Sequence, residues 1–430
     1  MKKWSLLLLL PVCVGASIYT TSLFRAQAAP LPTEPRIENQ AQLDALARQK
    51  PGANFDRIGH AFGNAEARLF WNTDFEAAKR QAIREGKPIL ALRLLGNLSD
   101  EYSCANSRFF RVLFYPQSQI NQRLRRDFVL FWSSERPVPI VTIDMGDGRI
   151  LKRTLTGNSA HYLLDSTGRP LDVFPGLTTP ATFESWLASS QQLAQNFKAQ
   201  PQETRDAWLA NWHTDQLREA MKLRAALPVK RARPFDVDLE MKRAIDSNPL
   251  EDVQIVTPIP ASVAASLAVD KRLVEAPMLG LDPNSFPVPS AILTSSSPVL
   301  DEATRARIRA MNPFASQDDV SRAPIQNVAL AQTSQKSAEE TRFQTLIRAF
   351  EANLRADTSQ NQNFSVSIHA LFARRHEGDL TALNRRIYDR LFLTPRSDEW
   401  LGLKSDTAFS ALQNDGVILP SESQPRLTSN

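Results

Sequence analysis

The chain has 430 residues, of which 42% are hydrophobic and 23% are charged, and its formal net charge at pH 7 is +5. This composition predicts a globular protein of about two domains, or one domain with a long extension. The charges are too balanced to indicate a nucleic-acid-binding protein.

The N-terminus has the three parts of a secretory signal. Two lysines precede an apolar run over residues 4–16, and residues 26–28 read Ala-Gln-Ala, the small-residue pattern of a cleavage site. An uncleaved anchor is the alternative, although Pro11 and the polar residues that follow suit a membrane-spanning helix poorly. We expect export to the periplasm or cell envelope, removal of residues 1–28, and no membrane span afterwards.

Removal of the signal leaves one cysteine. Cys13 and three basic residues would be lost, so the mature chain would have a net charge of about +2 and keep only Cys104. A single cysteine in an oxidising compartment is a free reactive thiol, half of an intermolecular pair, or a buried inert side chain. A disulfide within the mature chain is excluded.

Regular structure is predicted from residue 73 onward. Thr73 and Glu76 have the spacing of a capping box, which predicts a helix that ends at Gly86. The apolar run 88–95 follows at once and predicts a buried strand. A polar lead-in precedes this region, with a short helix predicted near residues 41–50.

The next elements complete the pattern of an α/β domain. In chain order we predict a helix over 104–126 bent or broken at Pro116, a strand at 128–132, hairpins over 138–155 and 162–174, and a helix from residue 180. This is the order of a thioredoxin-like domain, except that the hairpin 138–155 stands where that fold usually has a helix.

The second half of the chain is predicted to be Pro-rich and then helical. Residues 228–298 hold ten of the 28 prolines, so no long helix is predicted there. The fold class is therefore α/β, a thioredoxin-like three-layer sandwich with an inserted β-hairpin, a Pro-rich extension and a mostly helical C-terminal region. The predicted divisions are a signal at 1–28, a lead-in at 29–70, the thioredoxin-like domain at 71–200, a helical then Pro-rich extension at 201–336, a helical region at 337–415 (helices 337–355, 363–375 and 379–392) and a disordered tail at 416–430.

Cys104 is the first candidate for chemistry. It opens a helix directly after a buried strand, where the helix dipole favours a thiolate. Ser107 stands three residues on, where a dithiol motif would have its second cysteine, and Asn106 belongs to the same polar turn. A Cys-x-x-Ser pair can form a mixed disulfide but cannot resolve it internally. The alternative is that Cys104 is a buried packing residue.

The loop before the strand 162–164 is the second candidate. In a thioredoxin-like layout it faces the thiol, so His161 would serve as a base for Cys104. Asn106, Asn158 and Ser159 would contact a partner or substrate. The alternative is that His161 makes a local hydrogen bond and that Asn158 and Ser159 form a turn.

No metal or cofactor site is predicted. Asp144 and Asp147 suit a hairpin loop, since the remaining ligands of a calcium loop are missing. The histidines lack metal-ligand spacing, and no nucleotide-binding or hydrolase motif is present.

Several segments resemble an uncharacterised family of exported bacterial thioredoxin-like proteins. They are residues 102–110 (YSCANSRFF), 136–149 (RPVPIVTIDMGDGR), 157–165 (GNSAHYLLD) and, more loosely, 392–403. The resemblance implies that Cys104 occupies the attacking position, while Ser107 and Ser159 replace the second cysteine and the characteristic proline. It implies no established reaction.

Three functions therefore stay open. The first is monothiol exchange or mixed-disulfide formation through Cys104 with an unknown protein or small-thiol partner. The second is a non-catalytic binding or scaffold role in the cell envelope. The third is a hydrolase-like nucleophile formed by Cys104 and His161.

Overall fold

The structure is a computed structural model that describes residues 37–144, 146–154, 158–226, 234–247, 250, 298–311, 328–374, 378–392, 394 and 396. Its elements belong to one unit, Glu38–Asn430. The predicted signal at 1–28, most of the Pro-rich stretch and the predicted tail lie outside the described residues.

The described residues form seven strands and eleven helices, two of which continue into a π-helical turn. They are α1 (Gln40–Gln49), α2 (Phe55–Ile58), β1 (Trp71–Asn72), α3 (Phe75–Glu85), β2 (Ile89–Leu95), α4 (Ala105–Phe109) with the π turn Phe110–Phe114, α5 (Ser118–Asp127), β3 (Val129–Arg136), β4 (Ile140–Asp144), β5 (Ile150–Thr154), β6 (Ser159–Leu164), β7 (Pro170–Pro175), α6 (Pro180–Ala199), α7 (Arg205–Ala226), α8 (Val237–Asp246), α9 (Glu302–Met311), α10 (Val328–Arg374) and α11 (Leu380–Arg386) with the π turn Ile387–Leu391.

Five of the strands form a mixed sheet in the order β1-β3-β2-β6-β7. β3 runs parallel to β1 and β2, whereas β6 runs antiparallel to β2 and β7. β2 lies in the centre, where Leu92 pairs with Trp132 on one side and with His161 on the other. All but one of the residues of β2 are buried, as expected of an apolar strand covered on both faces. The predicted α/β class is confirmed.

Helix α3 shows how local sequence sets the element boundaries. Its N-cap is Asp74 and not the predicted Thr73. The carboxylate of Asp74 accepts a hydrogen bond from the backbone N–H of Ala77 at 2.7 Å. A carboxylate at this position also interacts favourably with the helix dipole. The helix ends at Gly86, which adopts the left-handed conformation (φ 66°), as predicted.

The helical segment after Cys104 is broken as the sequence predicted. α4 passes into a π turn closed by a hydrogen bond from Tyr115 N–H to Phe110 O (2.8 Å), and α5 begins two residues after Pro116. Proline has no N–H to donate, so the first helical run ends there.

The C-terminal region differs from its prediction. The segments predicted as two helices, 337–355 and 363–375, belong as far as Arg374 to the single helix α10, which contains neither glycine nor proline. The polar stretch between them makes tertiary hydrogen bonds: Thr358 accepts from the N–H of Thr179, the N-cap of α6, and Asn361 donates to the carbonyl of Pro175 at the end of β7. The third predicted helix, 379–392, corresponds to α11 and its π turn.

The predicted hairpin at 138–155 is present as a ribbon of β4 and β5. The two strands pair with each other and not with the main sheet, and they leave Ile140 and Ile150 exposed. Gly146 and Gly148 adopt positive φ in the turn. Among the described helices, none combines the length and apolar character that crossing a bilayer requires.

Candidate thiol site

Cys104 lies at the N-cap of α4, where the loop leaving β2 turns into the helix. Its backbone N–H donates to the carbonyl of Leu95 at 3.0 Å, which ties the start of the helix to the end of the central strand. The predicted position after a buried strand is therefore correct. The side chain is completely buried and free of disulfide bonding.

The thiol takes part in a closed set of hydrogen bonds with two serines. Sγ of Cys104 donates to Oγ of Ser107 at 3.3 Å, and the Ser107 hydroxyl lies 2.9 Å from the carbonyl of Cys104. Ser103 Oγ lies 2.8 Å from the same hydroxyl. A serine hydroxyl has one hydrogen and accepts two hydrogen bonds. The Ser107 hydroxyl is within hydrogen-bonding distance of three groups: the thiol, the Ser103 hydroxyl and the Cys104 carbonyl.

His161 lies close to the aromatic core and does not hydrogen-bond to the thiol. Its Nε2 lies 2.7 Å from the hydroxyl of Tyr115, and its Nδ1 has no hydrogen-bond partner. The rings of Phe110 and Phe183 pack against it, with centroids 4.5 and 4.9 Å away. Burial lowers the pKa of His161 to about 3, so the imidazole is neutral. The hydrogen bond of His161 is therefore made to Tyr115, 46 residues earlier in the chain, and not to the thiol.

The predicted partner loop does meet the helix that Cys104 begins. Asn106 Nδ2 donates to Oδ1 of Asn158 at 2.9 Å, joining α4 to the loop before β6. Ser159 is fully buried, its Oγ has no hydrogen-bond partner, and its carbonyl accepts from the N–H of Gly176 at 2.8 Å. The cavity that borders Asn158 has a volume of about 10 Å³. That space holds a single water at most.

Two arginines that sequence reasoning missed surround the same turn. Arg108 donates to Ser103 O at 2.7 Å and to Thr154 Oγ1 at 2.9 Å, while Arg111 donates to two carbonyls of the loop before Cys104. Burial lowers the pKa of Arg108 and lowers that of Arg111 to about 10, and both interact electrostatically with Cys104. Arg108 and Arg111 follow Cys104 by four and seven residues, a spacing that places all three on one face of a helix. That spacing could have indicated from the sequence that the two arginines lie near the thiol.

The C-terminal helix covers this end of the sheet. The hydroxyl of Tyr388 donates to the carbonyl of Asn158 at 3.1 Å. Asn384 accepts from Tyr162 Oη at 2.9 Å and donates to the buried Glu135 at 2.6 Å. No local pattern in the sequence indicates these contacts.

The hairpin acids behave as turn residues. Asp144 accepts from the N–H of Gly146 at 2.8 Å, and Asp147 pairs with Arg149 at 2.6 Å. Both carboxylates are exposed, and the side-chain bond from Arg149 lowers the pKa of Asp147. These contacts support the interpretation of both residues as loop formers.

Fold and site together define an α/β protein in which a single buried cysteine begins the helix after the central strand of a mixed sheet. Comparison of the chain with protein-family models, with curated proteins and with solved structures found no match.

Proposed function

We propose that this chain is an exported, thioredoxin-like protein that acts by binding a partner and not by thiol–disulfide catalysis. Support for the fold comes from the order of its elements and from a central β2 flanked by a parallel β3 and an antiparallel β6. Support for export comes from the signal-like N-terminus. The exposed Ile140 and Ile150 of the ribbon offer apolar surface to such a partner.

The observation that carries the proposal is the state of Cys104. Its side chain has no exposed surface, and its S–H is a donor to Ser107. A nucleophilic cysteine needs access for the disulfide that it attacks. The completely buried Cys104 lacks that access in this arrangement.

Monothiol exchange is the second candidate function. It is favoured by the N-cap position of Cys104 and by the guanidinium groups of Arg108 and Arg111, with which a thiolate would interact favourably. The thiolate would attack one sulfur of a partner disulfide, form a mixed disulfide and release the other sulfur as a thiolate. Sγ would first have to be uncovered.

A disulfide-reduction assay separates the two functions. Wild type and Cys104→Ala are compared for reduction of a protein disulfide with dithiothreitol as the electron source, and for adduct formation with glutathione disulfide by mass spectrometry of the folded proteins. We expect neither wild type nor Cys104→Ala to raise the reduction rate above that of dithiothreitol alone. We also expect no glutathione adduct at Cys104. A rate increase or an adduct that Cys104→Ala lacks would establish monothiol exchange instead.

A further inference from the structure

Asp172, His213 and His369 come together at a junction of three elements. Asp172 belongs to the edge strand β7, His213 to α7 and His369 to α10. One potential ligand atom from each of the three side chains lies within 4.8 Å of the other two. The cluster lies outside the thiol site, and no local spacing in the sequence brings these residues together.

Asp172 is a buried carboxylate with unused bonding capacity. Its side chain is 4% exposed, and Oδ2 accepts from the indole N–H of Trp186 at 2.9 Å. Oδ1 has no hydrogen-bond partner. Among the described residues, no lysine or arginine forms an ion pair with it. A buried carboxylate is costly unless a cation or further donors compensate it.

The two histidines are arranged as metal ligands usually are. Nε2 of His213 lies 2.9 Å from the carbonyl of Leu171, and its Nδ1 lies 2.9 Å from Nδ1 of His369. A carbonyl only accepts, so Nε2 of neutral His213 carries the hydrogen and Nδ1 presents a lone pair. A ligand histidine typically donates its other N–H to a carbonyl or carboxylate in this way. His369 is only partly buried, which leaves a route from solvent.

We propose that Asp172, His213 and His369 bind one divalent transition-metal ion of the zinc type. Two imidazole nitrogens and one carboxylate oxygen are typical zinc ligands, and a water would fill the fourth position. Ligands at about 2.05 Å in a tetrahedron lie roughly 3.3 Å apart, so the histidine nitrogens need to separate by only a few tenths of an ångström. To bind the ion through Nδ1, the neutral imidazole of His369 needs only to carry its hydrogen on Nε2 instead of Nδ1.

The ion would compensate the charge of Asp172 and join the sheet to the two helices. The proposal does not depend on the role of Cys104.

Zinc titration of the folded chain tests the site. The chelator-treated protein is titrated with Zn²⁺ against a chromophoric competitor, and bound metal is counted by mass spectrometry. Co²⁺ replaces Zn²⁺ to report four-coordinate geometry through its visible absorption. We expect one ion per chain in wild type. Loss of a second-shell partner alone weakens metal binding by 10–100-fold, so loss of a ligand in His369→Gln should weaken it by more than about 100-fold.

Two further variants make the result interpretable. Asp172→Asn keeps the side-chain volume and should lose zinc while retaining the circular dichroism of wild type. His60→Gln is the matched control, because His60 lies outside the cluster and hydrogen-bonds to the carbonyl of Trp71. This variant should still bind one zinc ion per chain. A folded wild type that binds no zinc would overturn the proposal, as would zinc binding that survives unchanged in both His369→Gln and Asp172→Asn.

Discussion

At the scale of single residues, burial decides what each polar group does. His161 is the clearest case, since a thioredoxin-like layout would place its loop opposite the thiol and suggests a base. In the structure its Nε2 bonds to Tyr115, and its neighbours are aromatic rings. The imidazole is held neutral and becomes a structural hydrogen-bonding group.

This neutral histidine makes stability depend on pH. The unfolded chain binds a proton at His161 below its ordinary pKa of about 6.5, while the folded chain does not until about pH 3. Unfolding is therefore favoured as the pH falls from about 6.5, by about 1.4 kcal/mol per pH unit for each such group. His213 and His369, whose pKa values burial also lowers, act in the same direction, and Asp172, with its raised pKa, opposes them.

Urea unfolding between pH 4 and 7 checks this account. We expect His161→Gln to flatten the pH dependence of the unfolding free energy by roughly 1.4 kcal/mol per pH unit below pH 6. Tyr115→Phe removes the hydrogen bond and keeps the imidazole buried, so it should retain the wild-type slope. Equal slopes in wild type and His161→Gln would contradict the assignment.

The position of Cys104 at the start of a helix was predictable from the sequence, whereas the surroundings of His161 were not. Cys104 follows a local pattern, an apolar strand and then a helix start. The direction of the His161 side chain follows from no local pattern, because all six residues of β6 are buried and show no alternation. Its partner Tyr115 lies 46 residues away.

At the scale of elements, α11 closes the thiol end of the sheet through a short polar chain. Asn384 bridges the hydroxyl of Tyr162 on β6 and the carboxylate of Glu135 on β3. Arg396 adds an ion pair to Glu135 at 2.6 Å. A buried polar network of this kind fixes one position of the helix, because any shift leaves donors or acceptors without partners.

Asn384→Ala tests that network. It leaves one oxygen of Glu135 and the hydroxyl of Tyr162 without their partner, so we expect a loss of about 1–3 kcal/mol in the unfolding free energy. The control is Asn196→Ala on the exposed side of α6, which should change stability by less than about 0.5 kcal/mol. Urea unfolding curves give both values, and equal stabilities would show that the bridge contributes nothing.

Element boundaries were predictable where the signal was local. Gly86 ends α3 and Pro116 interrupts the helical run after Cys104, as each residue's backbone chemistry requires. The predicted break between residues 355 and 363 was wrong, since this stretch continues the helix α10. Thr358 and Asn361 bond to the N-cap of α6 and to the end of β7, tertiary contacts that the chain does not show locally.

At the scale of the whole molecule, the C-terminal region forms hydrogen bonds with residues that lie far away in the sequence. Tyr388 reaches the carbonyl of Asn158, 230 residues earlier, and Asn384 reaches Glu135, 249 residues earlier. The mixed sheet was within reach of sequence patterns because strands and turns alternate regularly. Cys104 itself is fully buried, which the sequence left as one of its alternatives.

The rate of Cys104 alkylation tests the central claim most directly. The reference thiol comes from Ser189→Cys in a Cys104→Ala background, since Ser189 is exposed on α6. Both folded proteins are treated with iodoacetamide near neutral pH, and labelling is followed by mass spectrometry of the peptide that carries each cysteine. The labelling is then repeated in urea.

If Cys104 is reached only by unfolding that costs about 5 kcal/mol or more, it should react at least about 1000-fold more slowly than the reference thiol in native buffer. The two rates should become similar in urea. Native labelling of Cys104 within about tenfold of the reference rate would contradict a buried, non-catalytic thiol.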